Sequence, residues 1–410
     1  MTESLKEFVF QDPAKDGLFY VGHASALARI SGQYILFDPM WNYSPYGDKW
    51  LFSPEQIDCD EILEKLSGCI VSHCHSDHVC PPALSKMKIP ITIKDGRLNL
   101  KTDLEKYRPV NELAPFVWHP FLKDLEIYFV PHAFNSIDSS VFVRSKTYCV
   151  YIGSDNFLTR DLIEKIKPDI PWLDVACVPT AFIHWYPHRL QNISEEERVN
   201  ETARLNSQSI DQALMFCNHL KPRAVIPFGS SLFYYGGANN IINRSLTTPF
   251  DFQYSTAKYM FAGDYILSDG RVKYRTLEKY YQNMLKESLG EMDESPLELN
   301  FKISSDDLGF ITKKVQAASK EVAGHDLIIN DVVINLGTKE VRFVPDLDRQ
   351  LESNPNQNHY TRFRFDRPVF EQLMRGEISF DGALGTRRFE CVRSPNIYRL
   401  EVFEWFNNFL

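Results

Sequence analysis

The chain has 410 residues, 44% hydrophobic and 24% charged, the balance of a soluble globular protein too long for one small core. A formal net charge of -9, with no basic block larger than Arg387-Arg388, argues against a nucleic-acid partner. No apolar run approaches the roughly 20 residues that span a bilayer, so no membrane partner is expected.

The opening, Met1 to Glu7, is acidic and polar, without an apolar signal core. The eight cysteines are scattered, with no CxxC pair, and most lie in apolar runs. They are expected to be reduced, buried thiols of a cytoplasmic protein. Three strands are predicted early, at 18–21, 26–30 and 34–37. A Ser31-Gly32-Gln33 turn separates the last two, and Asp38-Pro39 stops the third. The apolar run Cys69-Ile70-Val71 then leads into Ser72-His73-Cys74-His75-Ser76-Asp77-His78. Three imidazoles and a carboxylate in one loop are metal-ligand chemistry. With only 11 histidines in the chain, the clustering is the signal. A strand ending there would send His73 and His75 to one side and Asp77 and His78 to another, which suits two ions better than one. The ligand types fit zinc, iron or manganese. Cys74, inside the loop, is expected to pack rather than ligate.

Further strands are predicted at 126–131, 139–144, 148–153, 174–179 and 224–228, with helices at 159–166 and 195–220. The second helix opens on Ser194 and three glutamates, which suit its dipole. Many antiparallel-looking strands and few helices suggest two packed sheets with helices outside. A charged, helix-prone stretch ends at Glu294-Ser295-Pro296. It divides the chain into a metal-binding domain (1–268), a helical linker (269–296) and a smaller C-terminal α+β region (297–410). That last region is expected to hold strands near 327–345 and 360–366 and helices at 367–375 and 396–408.

Two ions need ligands from other strand ends. His132 follows the run Ile127 to Pro131, and Asp155 follows Cys149 to Ser154. A carboxylate after a Gly-Ser turn is often only a turn residue. At the end of a buried strand it is also placed to bridge two cations.

The order Asp38, His73-x-His75-x-Asp77-His78, His132, Asp155 resembles the metallo-β-lactamase superfamily over about residues 15–245. The resemblance implies an α/β fold, an αββα sandwich with metals at one edge between the sheets. It assigns His73, His75 and His132 to one metal, Asp77 and His78 to the other, Asp155 as the bridge, and Asp38 as a support behind the ligand loop. The superfamily usually supplies a last histidine after a final strand. Here that strand, Ala224 to Ser231, carries Phe228 at that position. His184 and His188 are the expected substitutes, with substrate contact or packing as their other readings.

Several stretches are similar to a narrower branch, the β-lactamase-like part of CMP-N-acetylneuraminate hydroxylase: Gly22-His23-Ala24-Ser25, Ile35 to Pro39, Lys221 to Ser230, Gly376 to Asp381, and Arg393 to Tyr398. No Cys-x-His…Cys-x-x-His pair is present, so a Rieske cluster is not expected. The resemblance implies a non-haem diiron monooxygenase hydroxylating a small molecule, of the type natural-product pathways use. Such an enzyme would take iron ahead of zinc, O2 as co-substrate and electrons from an external donor. Asp77, Asp155 and His184 are the expected catalytic residues. Phe233, Tyr234, Tyr235, Trp185 and Tyr186 would line an apolar pocket. The alternative is a dinuclear zinc hydrolase of an ester, lactone or phosphodiester. For residues 297–410, pocket cover, homodimer formation and structural support are the three readings.

Overall fold

A computed structural model describes residues 2–43, 45, 50–52, 54–73, 75–96, 99–133, 138–181, 184–230, 232–234, 243, 245–275, 297–302, 304–306, 309, 313, 331–336, 339–343, 360–375, 377–378 and 380–394. Cys74, Tyr235, residues 276–296 of the expected linker and the expected helix at 396–408 lie outside them.

In chain order the first strands are β1 (Gly17–Gly22), β2 (Ser25–Ile30), β3 (Gln33–Phe37), β4 (Trp50–Phe52), β5 (Leu66–Ile70), β6 (Ile91–Lys94) and β7 (Val110–Leu113). Next come β8 (His119–Leu122), β9 (Leu125–Pro131), β10 (Ser139–Arg144), β11 (Cys149–Ile152), β12 (Val175–Pro179), β13 (Ala224–Phe228), β14 (Leu232–Tyr234), β15 (Tyr265–Leu267) and β16 (Val272–Lys273). Among the described residues one sheet has the order β16-β15-β1-β2-β3-β5-β6-β7 and a second β13-β12-β11-β10-β9-β8.

Side chains alternate across each strand, and both faces of both sheets are buried. Between the sheets lie Leu18, Tyr20, Ala28, Ile35 and Phe37 from one and Ile127, Phe129, Val141, Val150, Ile226 and Phe228 from the other. On the outer face of the first sheet, Phe19, Leu27, Leu36 and Ile91 pack under α1 (Glu3–Phe10), α2 (Pro81–Lys86) and α3 (Asn99–Glu105) through Leu5, Phe8, Leu84 and Leu104. Outside the second sheet, Tyr128, Phe142, Tyr151 and Val225 meet α4 (Arg160–Ile166) and α5 (Glu195–Leu220) through Ile163, Ile166, Ala213 and Phe216. Helix, sheet, sheet, helix is an αββα sandwich, the architecture expected from the resemblance.

The pairing is more parallel than the sequence suggests. β3, β5, β6 and β7 run parallel, as do β11, β12 and β13. Helices α4 and α5 are the crossovers that connect β11 to β12 and β12 to β13, as parallel neighbours require. The capping box of α5 forms as its sequence implies, with Ser194 accepting from the Glu197 N–H and Glu197 reaching back. No described helix is long and apolar enough to cross a membrane. The seven described cysteines are buried free thiols.

The first sheet runs past residue 268, because Ser268 to Arg271 form the turn of the β15–β16 hairpin rather than the start of a helix. In the C-terminal region β17 (Asp331–Leu336), β18 (Lys339–Phe343), β19 (Tyr360–Phe365) and β20 (Phe389–Ser394) form a separate sheet of order β18-β17-β19-β20. Helices α6 (Arg367–Met374) and α7 (Phe380–Gly385) lie between β19 and β20. This region docks on the sandwich through backbone bonds. Cys391 donates to the Arg189 carbonyl and Gln191 to the Cys391 carbonyl, each at 2.8 Å. The buried Trp185 ring meets Phe363 and Phe389 at 5.9 and 5.6 Å.

Candidate metal centre

Strands β1, β3 and β5 share one direction, as do β9, β11 and β13, so their carboxyl ends deliver residues to one edge. His23 leaves β1, Asp38 leaves β3, Ser72 and His73 follow β5, His132 follows β9, and Ser154 and Asp155 follow β11. His23, Asp38 and Ser154 have positive φ values of 50, 44 and 51°. Such a backbone is uncommon outside glycine and, at three strand ends of one edge, marks a site that the fold holds in place.

Asp38 organises the floor. Its carboxylate accepts from the Ser72 N–H at 2.7 Å, the Ser72 hydroxyl at 2.8 Å, the Ser154 hydroxyl at 2.9 Å and His78 Nδ1 at 2.9 Å. The bond to Nδ1 fixes the His78 ring and aims Nε2 into the site. His73 Nδ1 lies 2.9 Å from the Ser72 hydroxyl, which leaves its Nε2 facing the same space.

Two groups of ligand atoms result, each with all its atoms within 4.8 Å of one another: His23, Asp77 and His78, and His73, His75 and Asp155. In the first, His23 Nε2 is 3.0 Å from Asp77 Oδ2 and His78 Nε2 is 3.4 Å from the same oxygen. In the second, His73 Nε2 is 2.8 Å from His75 Nδ1. Asp155 Oδ2 is 3.4 Å from His78 Nε2 and 3.8 Å from His73 Nε2, so it stands between the groups as a bridge would.

The electrostatics ask for cations. His78 Nε2 is buried without a hydrogen-bond partner, although two carboxylate oxygens face it. Burial opposes charge on His78, but Asp155, Asp77 and Asp38 outweigh it and hold the imidazole well above its ordinary value. Burial likewise works against the Asp77 and Asp155 carboxylates, yet His78 holds both below the usual range. His73 is pushed down to about 4 by burial and by His78. Imidazoles and carboxylates turned onto one space, four of them buried and His75 and Asp155 partly exposed, with an orphaned nitrogen among them, fit two metal ions.

His23 was passed over in the sequence because a lone histidine between Gly22 and Ala24 looks like a turn residue. It answers the question posed by Phe228, whose ring is buried between the sheets 5.1 Å from Tyr20. Gly229, the next residue, donates to the His23 carbonyl at 3.3 Å, and the Tyr20 hydroxyl donates to it at 2.7 Å. His23 therefore fills the corner beside the end of β13. The expected substitutes, His184 and His188, are in neither ligand group among the described residues. His184 Nδ1 accepts from the Tyr186 N–H at 3.1 Å, and His188 Nε2 lies 3.3 Å from the Thr202 hydroxyl. His132, half-buried, stays outside both ligand groups, with Asp138 and Asp155 in electrostatic reach. Asp138, also missed, brings Oδ1 to 3.8 Å from His73 Nε2.

No family model matches the chain, and no curated protein matches it. Among solved structures it is similar over 52% of its length to CmlA, a diiron beta-hydroxylase from Streptomyces venezuelae, at 17% identity and a TM-score of 0.41. That match spans 45% of CmlA. It is similar over 62% of its length to Igni18, a metallo hydrolase from Ignicoccus hospitalis, at 15% identity and a TM-score of 0.41, spanning 98% of that chain. It is also similar over 52% of its length to the metallo-beta-lactamase fold protein YhfI from Bacillus subtilis, at 12% identity and a TM-score of 0.35, spanning 86% of that chain. The chain's own geometry defines an αββα sandwich with paired His/Asp ligand groups at one edge, a candidate dinuclear metal centre.

Proposed function

We propose that the protein is a dinuclear metal enzyme and, more narrowly, a non-haem diiron monooxygenase that hydroxylates a small organic molecule. His73, His75 and Asp155 would hold one metal, His23, Asp77 and His78 the other, with Asp155 shared and His132 and Asp138 beside the first. Iron in such a set of imidazoles and carboxylates supplies O2 activation, with electrons from an external donor. The observation that supports iron is the source of the second group's histidine. It comes from Gly22-His23-Ala24-Ser25, a segment that carries the resemblance to the hydroxylase branch, while the histidine usual in the superfamily is replaced by Phe228.

The protein's own residues position and shield. Trp50 and Phe52 cover the His23 ring at 5.9 and 5.2 Å, and Tyr234 packs on Trp50 at 5.3 Å, which keeps water from that flank. Burial, with Arg387 and Arg393 beside it, keeps His184 neutral at working pH. Because its Nδ1 accepts from the Tyr186 N–H, its ring proton sits on Nε2.

His23 also favours a second reading, a dinuclear zinc hydrolase of an ester, lactone or phosphodiester. It supplies a third protein ligand to the second group, where the sequence has Phe228 in place of the superfamily's usual histidine. Metal content and the absorption spectrum of protein purified without chelators separate the two. Two irons per chain with carboxylate-bridged absorption bands support the oxygenase. Two zincs, a colourless solution and ester or lactone turnover overturn it in favour of the hydrolase.

A further inference from the structure

The C-terminal region brings Arg387, Arg388 and Arg393 beside Arg189 of the sandwich, a group of buried arginines near the metal edge. Arg189, Arg387, Arg388 and Arg393 are each less than one-tenth exposed. Arg388 is matched by the buried carboxylate of Asp366. Arg387 is not in any ion pair among the described residues. Its Nη1 donates to the Leu384 carbonyl at 3.1 Å and its Nη2 to the Tyr234 hydroxyl at 3.3 Å, while Nε is buried without a partner. Its guanidinium lies 5.1 Å from the Tyr234 ring and 5.7 Å from the Trp50 ring. Trp50 in turn meets the ring of His23 edge-on at 5.9 Å. One layer of aromatic side chains thus separates Arg387 from the second ligand group.

Among the described residues no ion pair neutralises this charge. Burial, Arg387 and Arg388 press the Arg189 guanidinium down to about 9. Burial, Arg189 and Arg387 hold His188 down at about 4, so neither it nor His184 adds a cation. Tyr234 is in electrostatic reach of Arg387 on one side and of Asp77 and Asp155 on the other. A buried guanidinium with an unused donor is costly unless an anion completes it, and its planar fork suits a carboxylate or phosphate.

We propose that Arg387 binds an anionic oxygen group, carboxylate or phosphate, of a small-molecule ligand and so fixes that ligand beside the metal centre. The substrate is then an organic acid or a phosphate ester, and the C-terminal region is part of its site. This assignment rests on the dinuclear reading only in placing the ligand beside the metals; the anion site itself stands on Arg387.

The test uses the full, metal-loaded chain with inorganic phosphate and succinate as separate probes, at constant ionic strength. Binding is followed by the fluorescence of the tryptophans, since Trp50 adjoins Arg387. One probe or both should bind saturably and raise the melting temperature above that in chloride, and the probe that binds names the anion class. Arg387→Gln should weaken binding at least tenfold and Arg387→Lys less, with two metals per chain in each. If Arg387→Gln does not fold, the Arg387→Lys comparison and the wild-type melting shift decide. Equal affinity in the variants, binding that disappears only when the metals are stripped, or no binding of either probe overturns the proposal. Metal content, measured on the same samples, reports separately on the dinuclear reading.

Discussion

His23 Nε2 lies 3.0 Å from Asp77 Oδ2, across a separation of 54 residues, and both side chains are almost wholly buried. A pair so far apart in sequence meets because β1 and β5, which His23 and the Asp77 loop follow, run in the same direction and end at the same edge. If the pair belongs to a metal site, His23→Ala removes one of three protein ligands from the second group only. Metal content after dialysis should fall from two toward one per chain, with the weaker ion's affinity reduced at least about tenfold. The circular dichroism spectrum should be unchanged. Two tightly held metals in His23→Ala would remove His23 from the ligand set and return the question to His184 and His188.

Asp155 behaves differently, since its Oδ2 faces both His73 and His78. Asp155→Ala should deplete both metals and abolish metal-dependent activity while leaving a folded chain. Metal analysis beside a thermal melt checks this. Retention of both metals would refute the bridging role.

The parts of this centre that could be seen in the sequence are local ones. His73 to His78 stand together because one loop carries them, and Asp155 could be found because it follows an obvious apolar strand; His132 follows one too, but stands outside both ligand groups. His23 could not, since its partners lie on other strands and its own segment is short and ambiguous. A signal was present: β1 ends, as β3 does at Asp38, in a polar residue after an apolar run. Asp138 was hidden for another reason, lying in a polar turn past His132 where an aspartate is unremarkable. The two-sheet sandwich followed from the spacing of strands, but the parallel pairs did not. A buried apolar run of five residues looks the same whichever way its neighbour points.

Asp38 accepts four hydrogen bonds beneath the ligand loop and is itself outside both ligand groups. Asp38→Ala would strand the Ser72 N–H and His78 Nδ1 in a buried space. The expected loss of stability is about 3–5 kcal/mol, the size of breaking a buried pair. Asp38→Asn keeps the shape but points an amide at one of the donors, and should lose less. Urea unfolding of metal-free protein measures both, and equal stability of all three proteins would show that the network is not what holds the loop.

His188 gives the chain an acid sensitivity that does not involve the ligand groups. Burial and the charges of Arg189, Arg387 and Arg198 depress its imidazole to about 4, against about 6.5 in an unfolded chain. Between those values the unfolded chain holds a proton that the folded one does not, so falling pH favours unfolding. The stability His188 allows is fully present above about pH 6.5 and lost progressively as pH falls toward 4, on the order of 2–3 kcal/mol. His188→Gln keeps a hydrogen-bonding group near Thr202 and Ser245 but cannot titrate. Its unfolding free energy should fall less steeply than that of the unaltered protein between pH 6.5 and 4.5, and the two should converge above pH 7. Parallel curves across that range would mean that the arginines beside His188 do not hold it neutral.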